Sequence, residues 1–442
     1  MKFAGGNFNS IPMTRIKKIL IFGLVIIVSG IGAWKFFDYK QNKVRNNVMG
    51  ILNSKTSYVS NSHSSVERYI SKNQEDLKNN PDNISLLVKT GYAYIQKTRE
   101  ENDPQYYENA KNLFERALEL NPENADAFGG LGSIYLSEHN FKKALEVGYK
   151  AKELNPHSAY VLSVIVDAQI ELGMYNEAIK TAQEMVNTRP DLSSYSRVSY
   201  IREIHGDLSG AIDVMKMAIK AGAPTGENTA WCTVQLGNLY FTSGKRDSAE
   251  VMYQSAMEKY PEYIHALGGL AKIKMFEKNY AGAIEILEKI TEKNKLPEFL
   301  ILLADTYKLT GQNEKANETY NKVKFINTYF KEKGVDTDLE LTLFNINQGK
   351  NLKDAIHTTE KYIKEGNNSF KTYHILAWAE HKNDNNEEAV INIETALKLG
   401  TKEPLLWYHA GKIFEKAGNE TKAKEYLSYA LSIYPWLSTT EQ

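Results

Sequence analysis

His374, Trp378 and His381 are spaced by four and three residues, so on a helix all three lie along one face, and His409 follows 28 residues after His381. Imidazoles converging from adjacent helices could bind a metal, which would make the chain a metal-dependent enzyme or a metal carrier. No acidic or thiol ligand is placed beside them to complete such a site. In a groove, the same residues would suit peptide recognition; turned inward, they would pack. A second concentration is "SYSRVSYIREIHGD", residues 194–207, which puts Arg197, Tyr200, Arg202, Glu203 and His205 on one predicted helix, with Trp231 in the helix after next. An arginine fork there could grip a carboxylate or backbone of a ligand segment. The competing reading is that Arg202 and Glu203 form local ion pairs.

Other chemistry is absent from the sequence pattern. No phosphate loop, dinucleotide fingerprint, serine elbow or metalloprotease motif occurs. The glycine pairs in "FGGLGS" (128–133) and "LGGLAK" (267–272) lie inside predicted helices at packing positions rather than in nucleotide loops. One cysteine, Cys232, excludes an intrachain disulfide and any multi-cysteine metal centre. Lys+Arg and Asp+Glu both number 54, so no overall basic field points to nucleic acid. We therefore expect no enzyme activity, no catalytic residue, no cofactor and no metal.

The elements that must position these groups come from a repeat. Gly237, Ala249, Ala256 and Pro261 are separated by 12, 7 and 5 residues; Gly411, Ala423, Ala430 and Pro435 repeat that spacing, as do Gly132, Ala144, Ala151 and Pro156. Each unit reads as a first helix with apolar residues at three- and four-residue spacing, a turn, and a second amphipathic helix that stops before proline. Small residues let the two axes approach, and tyrosines fill the space beside them. The spacings resemble the tetratricopeptide repeat, whose period is 34 residues with small side chains and a proline at fixed places.

Ten alanines continue the register: Ala110, Ala144, Ala178, Ala211, Ala249, Ala283, Ala316, Ala355, Ala389 and Ala423. The resemblance implies an all-α, right-handed solenoid of about ten helix-turn-helix units over residues 84–435, starting near 84, 125, 159, 192, 230, 264, 297, 336, 370 and 404. "TREENDPQYY" reads as a polar loop inserted in the first unit. "AGAPTGEN" separates the fourth and fifth, and "NEKANETYNKVKFINTYFKEKG" reads as an unusually long second helix. Residues 38–83 hold a linker and a possible capping helix; the tail, 436–442, is too short to cap the last unit. Some proteins of this family hold a terminal carboxylate with a lysine and an asparagine of the first unit, but Val88, Lys89 and Tyr92 do not reproduce that set.

The N-terminus carries an uncharged apolar run, residues 19–34, after Arg15, Lys17 and Lys18. With the aromatics that follow, 19–37 is long enough for a transmembrane signal anchor behind a leader at 1–18. A short basic leader usually stays inside, so the repeats are expected outside the cytoplasm, on a bacterial inner membrane. The resemblance implies partner binding rather than a reaction: a membrane-tethered scaffold taking a protein or peptide on its concave surface, in assembly or organisation of an envelope complex, with self-association a further possibility. By helical position and chemistry the candidate contacts are Tyr200, Glu203, Trp231, Asn238, His374, Trp378, His381, Tyr408 and Lys412.

Overall fold

The computed structural model describes residues 65–294 and 296–440, which form 22 helices and no strand. The leader, the anchor at 19–37 and most of the 38–83 linker lie outside the described residues. Helix α1 (Ser65–Asn79) comes first, followed by ten pairs: α2 (Ile84–Glu101) with α3 (Gln105–Leu120), α4 (Ala125–Ser137) with α5 (Phe141–Leu154), α6 (Ala159–Glu171) with α7 (Tyr175–Thr188), and α8 (Leu192–Ile204) with α9 (Leu208–Ala221). Then come α10 (Glu227–Thr242) with α11 (Arg246–Lys259), α12 (Ile264–Phe276) with α13 (Tyr280–Lys293), and α14 (Pro297–Leu309) with α15 (Asn313–Glu332). The last three pairs are α16 (Asp338–Asn347) with α17 (Leu352–Lys364), α18 (Phe370–Lys382) with α19 (Asn386–Leu397), and α20 (Pro404–Lys416) with α21 (Glu420–Ile433), after which the short α22 (Leu437–Thr440) closes the described chain. Each first helix packs on its own second helix, and in most of the array it also touches the first helix of the next pair. This is an α-helical repeat solenoid.

Local chemistry sets the boundaries. Asn83, Asn124 and Ser158 cap the first helices of the first three pairs by accepting the amides of Leu86, Ala127 and Val161. Asn140, Asn279 and Asn419 do the same for second helices. The turn inside a pair needs one residue with left-handed backbone to close the first helix. Gly244 supplies it in the fifth pair with φ +77°, and His139, Lys278 and Asp384 occupy the equivalent place at φ between 59° and 66°.

The repeated small residues are wedged between helices. All ten register alanines are buried, none more than 4% exposed. Tyr253, fully buried on α11, lies between Gly237 of its own first helix and Gly269 of the next pair: a Cβ at either glycine would sit 2.6 or 2.5 Å from its ring. Phe114 fills the corresponding gap between Gly91 and Gly130, at 2.7 and 2.2 Å. An aromatic ring is thus shared by two consecutive units, and the two glycines are the space it occupies.

Three expectations are corrected. "TREENDPQYY" is not a loop: α2 runs on to Glu101 and α3 begins at Gln105, so the added residues lengthen both helices. The tail is not idle, because Trp436, Leu437 and Thr440 are buried and Lys308 Nζ donates to the Thr440 carbonyl at 3.2 Å. The solenoid also coils back on itself, so the concave face is not a free-standing open surface. Asp103 accepts from Tyr329 at 2.9 Å, which joins the first pair to the seventh, and Asp336 N donates to Glu138 O at 3.0 Å, joining the second to the start of the eighth. Asn368 N donates to Leu172 O at 3.1 Å and Lys371 Nζ to Glu171 at 2.9 Å, joining the third to the ninth. Gly206 lies against the Gly400 carbonyl, joining the fourth to the tenth. A steady offset of six pairs means one superhelical turn rests directly on the next. The long α15, 20 residues against 14 in α5, α7, α9 and α11, carries Tyr329 to this seam.

Candidate functional site

The first helices line the inner wall of the coil, and closure brings their charges within reach of one another. Tyr200 and Glu203 sit on α8, one turn apart and half-buried. The Glu203 side chain forms no ion pair or hydrogen bond among the described residues. Burial pushes its carboxyl up to about 7, and the charge of Glu403, six pairs along the chain, adds to the shift; Lys371 opposes it. Glu403 is itself raised by burial, although it caps α20 by accepting the amides of Leu405 and Leu406.

Lys371 comes to this place from α18 across the seam. Its Nζ donates to Glu171 and lies 5.9 Å from the Tyr200 ring centre. Burial works against its positive charge, but Tyr200 and Glu171 hold its pKa above the ordinary lysine value. Further round the wall, Asn238 accepts from Tyr253 at 2.8 Å and lines a groove of about 230 Å³ with Gln235, His265, Lys272, Glu298 and Asp305. Lys272 feels Tyr434, Glu298 and Glu403, and Glu100 of the first pair feels Glu227 of the fifth, so the inner space is charged on several sides.

The candidate residues therefore divide. Tyr200, Glu203 and Asn238 are on this wall, and Trp231 is 39% exposed on α10. His374, Trp378 and Tyr408 are 6%, 1% and 4% exposed, so they present little surface to a partner. Lys412 is ion-paired with Glu415 one turn on, and His381 is half-buried. The expected arginine grip is also used internally. Arg197 makes a two-pronged contact with Asp167 at 2.8 and 2.6 Å, and Arg202 pairs with Asp207 at 2.6 Å rather than with Glu203.

The histidines form a stacked core. Trp378 lies between His409 and His381, with ring centres 3.7 and 4.9 Å away and planes within 10° of parallel. Its indole N–H donates to Asn347 at 2.8 Å. His374 Nε2 and His409 Nδ1 share a hydrogen bond of 2.7 Å, so those two nitrogens are engaged with each other. Burial first, then the adjoining His409 ring for His374 and Lys382 with His381 for His409, holds both well below the usual imidazole range. Among the described residues no group of three or more His, Cys, Asp or Glu side chains is placed to hold a metal ion.

Lys371, Glu403 and Lys272 escaped the sequence reading. Glu403 looks like an ordinary cap one residue before a helix-starting proline, and Lys371 gains its partner only through the seam. Their shared signal is position in, or as the cap of, a first helix.

Comparison with known proteins agrees with the repeat. Family models described as tetratricopeptide repeat match residues 105–159, 240–298 and 405–435. The chain is similar to human Tetratricopeptide repeat protein 21A, 27% identical over 265 residues, covering 54% of this chain and 20% of that protein. It is also similar to the Protein CTR9 homolog of Arabidopsis thaliana, 26% identical over 255 residues, covering 54% of this chain and 22% of that one. The chain thus spans about a fifth of the length of these curated relatives. Among solved structures, a human IFIT1 dimer with PPP-AAAA aligns with a TM-score of 0.47 at 20% identity, over 72% of this chain and 73% of that chain. Ten helix pairs, buried alanines in register and three matched segments agree: the chain is a helical-repeat array, with tetratricopeptide repeats recognised in residues 105–159, 240–298 and 405–435.

Proposed function

We propose that the chain is a scaffold that holds an extended segment of a protein partner along the inner wall of its coiled solenoid. The observation that carries this reading is the half-buried carboxyl of Glu203, without an ion pair and pushed up to about 7, beside Tyr200 and opposed by Glu403. A cationic side chain of a partner entering there would relieve the repulsion between the two carboxylates. A preformed array also limits the ordering entropy lost on binding. Asn238, Trp231 and Tyr200 are the contacts best placed to add hydrogen bonds and apolar area.

The uncharged run at 19–34 supports a further part of the proposal. Residues 19–37 tether the scaffold to a bacterial inner membrane with the repeats on the extracytoplasmic side, where it organises an envelope complex. Among the described residues no helix is long and apolar enough to cross a membrane, so the tether rests on this segment alone.

A photo-crosslinking amino acid placed at Gln235, on the inner wall, should capture a defined partner in cells. The same group at Ile391, 64% exposed on a second helix, should capture none or others. Equal capture at both positions would sink the inner-wall reading. Release of the full chain from membranes by alkaline carbonate would separately remove the tether.

A further inference from the structure

The seam contains a cavity of about 510 Å³ between the first two pairs and the seventh and eighth. Its walls are mostly apolar: Tyr107 on one side, and Leu296, Ile301, Phe330, Val335 and Phe344 on the other. The volume falls in the range of small-molecule sites, which combine apolar walls with a few polar groups. One polar group here has no partner. Thr337 is 6% exposed, lines the cavity, and its hydroxyl is buried without a hydrogen bond. It stands at the start of α16, where a threonine normally caps, but it makes no capping bond, and Asp336 accepts the Asp338 amide at 3.0 Å instead. A buried hydroxyl left unpaired is costly, and an occupant with one hydrogen-bonding group would satisfy it.

Charge narrows the class of occupant. Glu298 and Glu340 contribute to the lining against a single arginine, Arg99, whose guanidinium donates to Gln96. Glu340 faces His139 at 3.5 Å and Glu298 faces His265 at 3.8 Å. Two carboxylates against one guanidinium disfavour an anion, and the apolar walls disfavour a free cation. We propose that this cavity is a binding site for a small neutral amphipath, an aliphatic body with one hydroxyl or carbonyl head that hydrogen-bonds Thr337. Because its walls belong to pairs six units apart, the occupant clamps one superhelical turn to the next and so controls access to the inner wall.

The test uses 1-octanol as probe with the full chain, followed by calorimetric titration and thermal melting. The wild type should bind saturably at one site and melt higher with the alcohol present. Thr337→Val should weaken binding about 5-fold or more, while its melting point without ligand stays the same or rises. Ile301→Trp, which fills the cavity, should abolish binding with helical circular dichroism retained. Octanoate should bind more weakly than octanol. The proposal fails if octanol shows no saturable binding, if Thr337→Val binds as tightly as the wild type, or if octanoate binds as well as the alcohol. Should Ile301→Trp not fold, the near-isosteric Thr337→Val still decides the matter.

Discussion

The chain is held together by two kinds of joint, and they differ in almost every physical respect. Between consecutive pairs the joint is apolar and continuous: Tyr253 fills the space left by Gly237 and Gly269, with Ala249 and Ala256 fully buried beside it. Between superhelical turns polar contacts carry much more of it: Leu172 O with Asn368 N, Tyr175 OH with Phe370 N, Lys371 with Glu171, and Arg246 with the Ser432 carbonyl, beside apolar contacts such as the Phe241 and Tyr434 rings, 5.8 Å apart. The first is a folding core. The second is a latch, worth less because backbone hydrogen bonds and half-exposed ion pairs exchange for water at small net gain.

Cutting the first kind of joint should have the largest effect. Tyr253→Ala removes a fully buried ring from two units at once, and should lower stability by about 3–5 kcal/mol with loss of its hydrogen bond to Asn238. Denaturant unfolding followed by circular dichroism measures it. A loss below about 1 kcal/mol would mean that the ring is not the shared wedge described here.

Cutting the second kind should change shape more than stability. Gly173 has φ +78°, and a Cβ there would come within 2.3 Å of the Asn368 carbonyl oxygen across the seam. Gly244 has φ +77° with nothing within 4 Å. Both Gly→Ala changes incur the left-handed backbone penalty, about 1–2 kcal/mol, but only Gly173→Ala must push the turns apart. Small-angle scattering should show expansion for Gly173→Ala and not for Gly244→Ala, with helix content equal in both. Equal dimensions would show that the turns do not depend on this contact.

The same division explains what could be read from the chain before its fold was known. Joints between neighbouring pairs repeat at short range, so the spacing of glycine, alanine and proline exposes them, and the ten alanines do lie between helices. Joints across the seam link residues such as Tyr175 and Phe370, 195 positions apart, and several use backbone groups that any residue carries. No local pattern can signal those. The histidines fall between the two cases. Their spacing on one helical face was legible, but whether that face meets solvent or a neighbour depends on Trp378 and His409 coming from different pairs and stacking. Likewise Glu203 could be singled out alone, whereas the partner that shifts its titration, Glu403, is a capping residue 200 positions away.

Glu203 gives the smallest of these effects and the one that joins the inner wall to the seam. Its carboxyl titrates near 7 in the folded chain, above the ordinary value of 4.5. The folded state therefore holds this proton more tightly than the unfolded state, so the stability linked to it is fully present below about pH 4.5 and is lost as pH rises through about 7. Glu203→Gln keeps the shape without the ionisation. It should remove that part of the pH dependence and make the protein more stable than wild type at pH 8, on the order of 1–2 kcal/mol, while matching it near pH 5. Opening the seam with Gly173→Ala should reduce the difference between Glu203 and Gln, because Lys371 and Glu403 reach α8 only through the touching turns. Identical pH profiles for wild type and Glu203→Gln would show that the carboxyl is solvated after all, and that the inner wall leaves no unmet charge for a partner.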